Sequence, residues 1–115
     1  ERLKSLSPQV GAEGYFVFAL DGASSPPVTH ARLFCPIMGI PEDPVSGNTH
    51  AMLGVYLVRH GLLIPQSGQA RFIGHQGAWI GRPGLIDVTI TCNDQAPEFV
   101  RIQGDAVIVG QRSWP

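Results

Sequence analysis

The sequence predicts an α+β domain in which an antiparallel or mixed β-sheet curls around one central, buried helix. Short apolar segments bounded by turn residues recur along the chain, which is typical of strands. One segment, Ala51 to Val58, is instead uncharged and mostly apolar around a full helical circumference. The 14 glycines and 10 prolines show no period and indicate a turn-rich fold. A chain of 115 residues fits a single domain, residues 1–115.

The composition narrows the class of function. Charged residues make up 15% of the chain, against about 25% in an average globular protein, so part of the surface is expected to be covered. With 8 basic and 9 acidic residues and no basic cluster, neither nucleic acid nor an anionic membrane is an expected partner. Apolar runs fall short of the roughly 20 residues that cross a bilayer, and no signal peptide is recognisable. We therefore expect a cytoplasmic protein.

The first 44 residues predict two strands between irregular segments. Pro8 and Gly11 interrupt the N-terminal stretch, which is typical of an incoming linker. The aromatic and β-branched residues of 15–20 predict a buried strand, and residues 28–35 alternate as a second strand. Three prolines within 36–44 predict an irregular loop, and such loops often carry sites.

Residues 51–58 predict the helix. Asn48 is the expected N-cap, Gly61 the expected left-handed residue after the last turn, and Arg59 suits the negative end of the helix dipole. Because no polar stripe precedes Arg59, we expect the helix to be enclosed on most sides.

The remaining residues predict the rest of a sheet of about six strands. In residues 85–92, apolar Ile86, Val88 and Ile90 alternate with polar side chains, which indicates one buried and one wet face. The predicted strands of this half are residues 70–74, 85–92, 99–103 and 106–111.

The segment from Gly39 to His50 is the strongest candidate for a site, because an acidic pair is followed by a tight turn and the start of the buried helix. Backbone amides at a helix start lack partners and lie at the positive end of the dipole, so they can hold a carboxylate without a basic side chain. Gly47 allows a ligand to approach closely. His50, in the first turn, is a candidate donor to the anion. The alternative is that Asp43 and Asn48 only cap and brace the loop.

Other chemistry receives little support from the sequence. The four histidines lack the spacing of a metal site, so we expect no metal. Cys35 and Cys92 end apolar strands without basic neighbours and are expected to act as small hydrophobes. Ser46 has neither a nucleophile elbow nor a placed base.

Several motifs together resemble the C-terminal half of the phenazine biosynthesis PhzF family, within the diaminopimelate epimerase-like superfamily, and most closely its uncharacterised bacterial isomerase-like branch. The resemblance runs from about Leu6 to the end of the chain. It implies two similar halves, each a sheet around a central helix, with the active site between them. The motifs are Arg32-Leu33-Phe34, Pro36, Gly39-Ile40, residues 42–48 (EDPVSGN), Gly77, residues 81–84 (GRPG) and residues 104–107 (GDAV).

The resemblance also implies roles for individual residues. Asp43 is the acidic group of the cleft, and Gly47 and Asn48 present backbone amides to a substrate carboxylate, with Thr49 completing the turn. Asn48 stands where serine is usual, so only the backbone contact is expected there. The family's principal acid/base, a glutamate of the N-terminal half, is not present in this sequence.

The resulting functional prediction is a PhzF-like isomerase that shifts a proton on a small carboxylic acid without a cofactor, with this chain supplying the carboxylate-binding half. The alternative is a non-catalytic binding or oligomerisation module that keeps the scaffold without the glutamate. A two-cysteine racemase is disfavoured, because the amino-acid epimerases of the superfamily that the chain resembles have a cysteine near the position of Asp43, and this chain has none there. As partners we expect a second copy in a homodimer, or an N-terminal half.

Overall fold

The computed structural model describes residues 1–114 and shows a mixed α+β fold with one six-stranded sheet and two α-helices. Two single 3₁₀ turns, Pro36–Met38 and Ala78–Ile80, lie between strands. The helices and strands in chain order are α1 (Arg2–Val10), β1 (Tyr15–Asp21), β2 (Val28–Cys35), β3 (Ile40–Asp43), α2 (Gly47–Arg59), β4 (Gln69–Gln76), β5 (Gly84–Asn93) and β6 (Ala96–Gln103).

The sheet has the order β1-β2-β4-β5-β6, and β3 pairs with β2 beside this path. Neighbouring strands are antiparallel except β2 and β4, which run parallel after the long connection through α2. This parallel ladder joins strands β1–β3 to strands β4–β6. No helix described within residues 1–114 is long and apolar enough to span a membrane.

The core lies between α2 and the inner face of the sheet. Leu53 and Leu57 of α2 are buried together with Phe72 of β4 and with Val88 and Ile90 of β5. Strand alternation supplies these side chains, because residues two apart share one face. The predicted buried face of β5 is thereby confirmed, and so is the strand predicted at residues 28–35, where every second residue from Thr29 to Leu33 is buried.

Helix α2 is covered on one side only. Met52 and Tyr56 are 64% and 46% exposed, although both belong to the apolar circumference of the helix. The expectation that the helix is enclosed on most sides is therefore wrong for this chain. An apolar face without a cover in the chain itself is typical of a surface that another polypeptide contacts.

The N-terminal stretch forms helix α1 instead of the expected linker. Pro8 lies inside this helix, but most residues around it are exposed, so water can satisfy the carbonyl that proline leaves without a donor. Ser7 is buried, and its Oγ donates to the Leu3 carbonyl of the same helix at 3.0 Å. The same Oγ lies 3.2 Å from Tyr15 Oη, which ties the helix to β1.

Two strand predictions also differ from the structure. The supposed irregular loop 36–44 contains strand β3, where Leu33 pairs with Asp43. Residues 106–111, expected to be a strand, form no regular element, and Val107, Ile108 and Val109 are 85%, 92% and 98% exposed. An apolar run alone does not make a strand, because a strand also needs an edge to pair with, and residues 106–111 pair with none of the strands described within residues 1–114.

Candidate active site at the start of helix α2

The two carboxylates of the acidic pair, Glu42 and Asp43, have different surroundings. Glu42 is bound by Arg32, whose Nε and Nη2 donate to it at 3.0 Å and 2.7 Å. This bidentate pair lowers the pKa of Glu42 and holds β3 on β2. Asp43 is half-buried, has no cationic partner within residues 1–114, and ends β3 four residues before α2 begins. Asp43 is therefore the carboxylate available to a ligand.

Ser46, and not the predicted Asn48, is the N-cap of α2. Its backbone is extended, and its Oγ accepts a hydrogen bond from the Thr49 amide at 3.4 Å. Its carbonyl accepts from the Thr49 hydroxyl at 3.1 Å, from the His50 amide at 3.3 Å and from His50 Nδ1 at 2.8 Å. Asn48 lies inside the first turn and is exposed. Ser46 thus fixes the direction in which the helix start points.

Gln76, at the end of β4, joins Asp43 to the helix cap. Its Nε2 donates to the Asp43 carbonyl at 2.8 Å and to the Asp43 carboxylate at 3.3 Å, while its Oε1 accepts from the Ser46 amide at 3.2 Å. The residue is 2% exposed. Sequence reasoning missed Gln76, although one signal was present: alternation along β4 puts it on the same face as Ala70, Phe72 and Gly74.

The amides at the helix start are mostly free. No acceptor within residues 1–114 binds the Gly47 or the Asn48 amide, and the third amide, that of Thr49, makes only its 3.4 Å contact. Ile102 of β6 packs against Gly47, where a Cβ atom would lie 2.5 Å from the Ile102 side chain. A side chain at position 47 would therefore force the end of the Ile102 side chain to move. The arrangement places two unpaired donors beside the Asp43 turn.

His50 is wholly buried beneath the turn. Because the Ser46 carbonyl can only accept, Nδ1 carries the proton, and Nε2 has no partner within residues 1–114. The ring packs edge-on against Phe16 at 5.2 Å and lies over Gly74. Burial lowers the pKa of His50, since a protonated ring would have an unpaired second N–H inside the fold. In this position the ring supports the turn from below.

Acidification should therefore destabilise the fold through His50. An unfolded histidine takes up a proton near pH 6.5, whereas folded His50 has a lowered pKa. Since the unfolded state binds more protons, the free energy of unfolding should fall below about pH 6.5 and level off below the lowered pKa. Urea midpoints from pH 8 to pH 4 measure this slope.

The variant His50→Gln should flatten that slope, and His60→Gln, at an exposed position, should not. Part of the slope should survive in His50→Gln, because burial also lowers the pKa of His75. Equal slopes in the native chain and in His50→Gln would show that His50 does not titrate between the folded and unfolded states.

A cleft of about 460 Å³ opens beside the turn, with Val45, Gln76, Gly84 and Asp105 in its wall. Its edge depends on Gly77, which has φ 83° and whose Cα approaches the carbonyl oxygens of Pro44 and Arg82. A side chain at Gly77 would collide with both backbones, so the glycine keeps the 81–84 turn next to the acidic loop. The resemblance-bearing segments EDPVSGN and GRPG therefore meet in space.

The cysteines are not activated for catalysis, although Cys35 lies close enough to Asp43 for that carboxylate to act on its thiol. Burial raises the pKa of the Cys35 and Cys92 thiols, and nearby carboxylates add to the effect, so neither is poised as a thiolate. Within residues 1–114 no group of three or more histidine, cysteine, aspartate or glutamate side chains is arranged to hold a metal ion.

Comparison with known proteins decides the family. The model of the family described as phenazine biosynthesis-like protein matches residues 2–112. The chain belongs to this family. The resemblance carried by the EDPVSGN and GRPG segments is thereby confirmed at the level of the family.

The relatives are isomerases by name and much longer than this chain. The uncharacterized isomerase YddE of Salmonella typhimurium is 40% identical over 112 residues, which cover 97% of this chain and 37% of that protein. The uncharacterized isomerase CA_C3446 of Clostridium acetobutylicum is 41% identical over 107 residues, 93% of this chain and 35% of its own. The trans-2,3-dihydro-3-hydroxyanthranilate isomerase of Pseudomonas fluorescens is 32% identical over 81 residues, 70% of this chain and 28% of its own. The chain thus spans a little over a third of the relatives it matches most fully.

Proposed function

We propose that this chain supplies the carboxylate-binding part, within the C-terminal half, of an isomerase that moves a proton on a small carboxylic acid without a cofactor. One observation carries the proposal: the unpaired Gly47 and Asn48 amides lie at the start of α2, beside the Asp43 carboxylate that Gln76 holds in place. A helix start of this kind binds an anionic group through backbone donors and the positive end of the dipole. The names of the relatives, which are isomerases, supply the reaction class.

The substrate class follows from the same donors. Two adjacent amides suit the two oxygens of one carboxylate, with the Thr49 hydroxyl at the edge of the turn. The Pseudomonas relative carries in its name a substrate of this class, a cyclic amino acid derivative. We infer a small, planar or cyclic carboxylic acid for this chain as well.

The division of labour in catalysis follows from what the chain contains. Proton transfer at carbon needs an acid/base group within hydrogen-bond reach of the carbon, and Asp43 is the candidate that this chain offers. Asp43 then orients the substrate or relays the proton, while the Gly47 and Asn48 amides neutralise the carboxylate of the substrate. The second acid/base group comes from the part of the protein that the relatives have in addition, which accounts for most of their length.

The exposed side of α2 favours the second candidate, a non-catalytic binding or oligomerisation module. Phe16 and Phe18 of β1 form an apolar groove of about 450 Å³ with Met52 and Tyr56 of α2, and Thr49 lies at its end. The groove adjoins the site, so whatever covers it also closes one side of the helix start. In the isomerase this cover is the N-terminal half, and in a module it is a second copy of the chain in a homodimer.

A titration with benzoate tests the carboxylate site on the chain itself. We expect the Gly47, Asn48 and Thr49 amide signals to shift progressively in ¹H–¹⁵N NMR spectra, because these donors bind the anion. Benzamide, which has the same ring without the charge, is the matched ligand control and should leave the three signals in place. The variant Asp43→Asn should bind benzoate more tightly, because one like charge beside the anion is removed.

Catalysis is tested on the longer protein, in which this sequence is joined to the portion that its relatives carry. Incubation of a small unsaturated carboxylic acid with that protein in D₂O should incorporate deuterium next to the carboxylate or along the conjugated chain, and Asp43→Asn should abolish the incorporation. Benzoate binding without any deuterium incorporation across a panel of such acids would favour the module. The absence of shifts at all three amides would refute the carboxylate site in both cases.

A further inference from the structure

His30 and His75 face each other on the outer surface of the sheet, on the side opposite α2. They are register partners in the parallel ladder between β2 and β4. Their ring centroids are 5.0 Å apart and the ring planes are inclined by 36°. His30 is exposed and His75 half-buried, so solvent reaches the pair.

Both imidazoles are available as ligands. His75 lies within β4, and neither ring makes a hydrogen bond within residues 1–114. Burial, together with the neighbouring His30, lowers the pKa of His75. A neutral imidazole is the form that binds metal ions.

We propose that His30 and His75 together bind one divalent transition metal ion of the zinc, nickel or copper type, with water completing the coordination. Two imidazoles bound side by side at the usual Zn–N distance have ring centres about 4.5–5.2 Å apart, which follows from bond lengths of about 2.0–2.1 Å and angles between square and tetrahedral. The observed 5.0 Å falls within this range. Imidazole nitrogen suits zinc, nickel and copper better than magnesium or calcium.

The surroundings of the pair tolerate a cation. Asp21, at the end of β1, lies near His30, so a carboxylate is close to a cation bound at the pair. Arg32, two residues along β2 on the same face, has its charge paired with Glu42. The nearest cationic side chain on His30's own strand is therefore already neutralised.

The position of the pair predicts a consequence for stability. The β2–β4 ladder contains only four residue pairs and joins the two parts of the sheet, and His30–His75 is one of these pairs. A metal ion bound to both rings cross-links β2 and β4 at this ladder. Because it binds the folded state and not the separated strands, it should raise the melting temperature.

The test uses the chain without an affinity tag. Calorimetric titration with CuSO₄ or ZnCl₂ should give one ion per chain, and His30→Gln and His75→Gln should each weaken binding at least tenfold. The matched control His60→Gln should bind as the native chain does, since His60 is an exposed histidine that stacks on Tyr56 at 4.3 Å and lies outside the pair. The electron paramagnetic resonance spectrum of the Cu²⁺ complex should show two equivalent nitrogens, and Zn²⁺ should raise the melting temperature of the native chain but of neither pair variant.

Several results would overturn the proposal. These are binding that is unchanged in both pair variants, a spectrum with a single nitrogen, or no binding at millimolar metal. None of them concerns the start of α2, so the carboxylate site and the metal pair are tested independently of each other.

Discussion

Replacing Gly74 by alanine should lower the free energy of unfolding by about 3 kcal/mol, because the new methyl group has no space in the core. Gly74 lies in β4 directly beneath the His50 ring, and a Cβ atom there would overlap Cδ2 and Nε2 of the imidazole. The ring cannot move outward to relieve the overlap, since it is wholly buried and bound to the Ser46 carbonyl. Chemical denaturation measures the change directly.

A double variant separates this collision from a general effect of alanine in the strand. In Gly74→Ala/His50→Ala the methyl group occupies space left by the ring, so the combined loss should be at least about 1 kcal/mol smaller than the sum of the single losses. Gly22→Ala is the matched control, because no atom lies within 4 Å of a Cβ at that position, and its effect should stay below about 1 kcal/mol. Additive single losses would mean that His50 does not lie over Gly74 in solution.

The strands could be predicted from the sequence wherever alternation or an apolar run was bounded by turn residues. Residues 15–20 and 28–35 are examples, and the structure has strands at Tyr15–Asp21 and Val28–Cys35. The start of α2 was predicted within a few residues, but the cap was assigned to Asn48 instead of Ser46. Both side chains can cap a helix, and only the tertiary bond from the Ser46 amide to Gln76 decides between them.

The wrong predictions share one physical cause. A pattern in the sequence does not show which other part of the fold, if any, that segment packs against. Pro8 indicated a linker, but Tyr15 on β1 gives α1 a surface to bind. Residues 106–111 begin with an apolar run, but they have no edge within residues 1–114 to pair with. The apolar circumference of α2 indicated enclosure, whereas Met52 and Tyr56 are exposed in this chain. The roles of Gln76 and of the His30–His75 pair depend on contacts between distant strands, which a single sequence does not show.

Gln76→Leu should destabilise the fold by about 3 kcal/mol and disorder the acidic turn. The substitution removes every side-chain hydrogen bond of Gln76 and leaves the Ser46 amide and the Asp43 carbonyl without partners in a buried place, and each such group costs about 1–3 kcal/mol. Denaturation gives the energy. The ¹H–¹⁵N spectrum locates the damage, which should concentrate at residues 43–50 and spare β6.

Gln76→Glu is the matched variant, because it keeps the shape and the acceptor for the Ser46 amide but loses the donor to Asp43. A buried carboxylate beside Asp43 has a raised pKa, since burial and the like charge both disfavour its ionised form. A group with a raised folded pKa stabilises the fold at low pH and loses that contribution as the pH rises through its pKa. The difference in stability from the native chain should therefore be large at pH 8 and shrink towards pH 4, where the protonated carboxyl can donate to Asp43 as the amide does. Comparison with the native chain at each pH cancels the contribution of His50. A difference that does not depend on pH would mean that the side chain at position 76 does not face the Asp43 carboxylate and so does not join Asp43 to the start of α2.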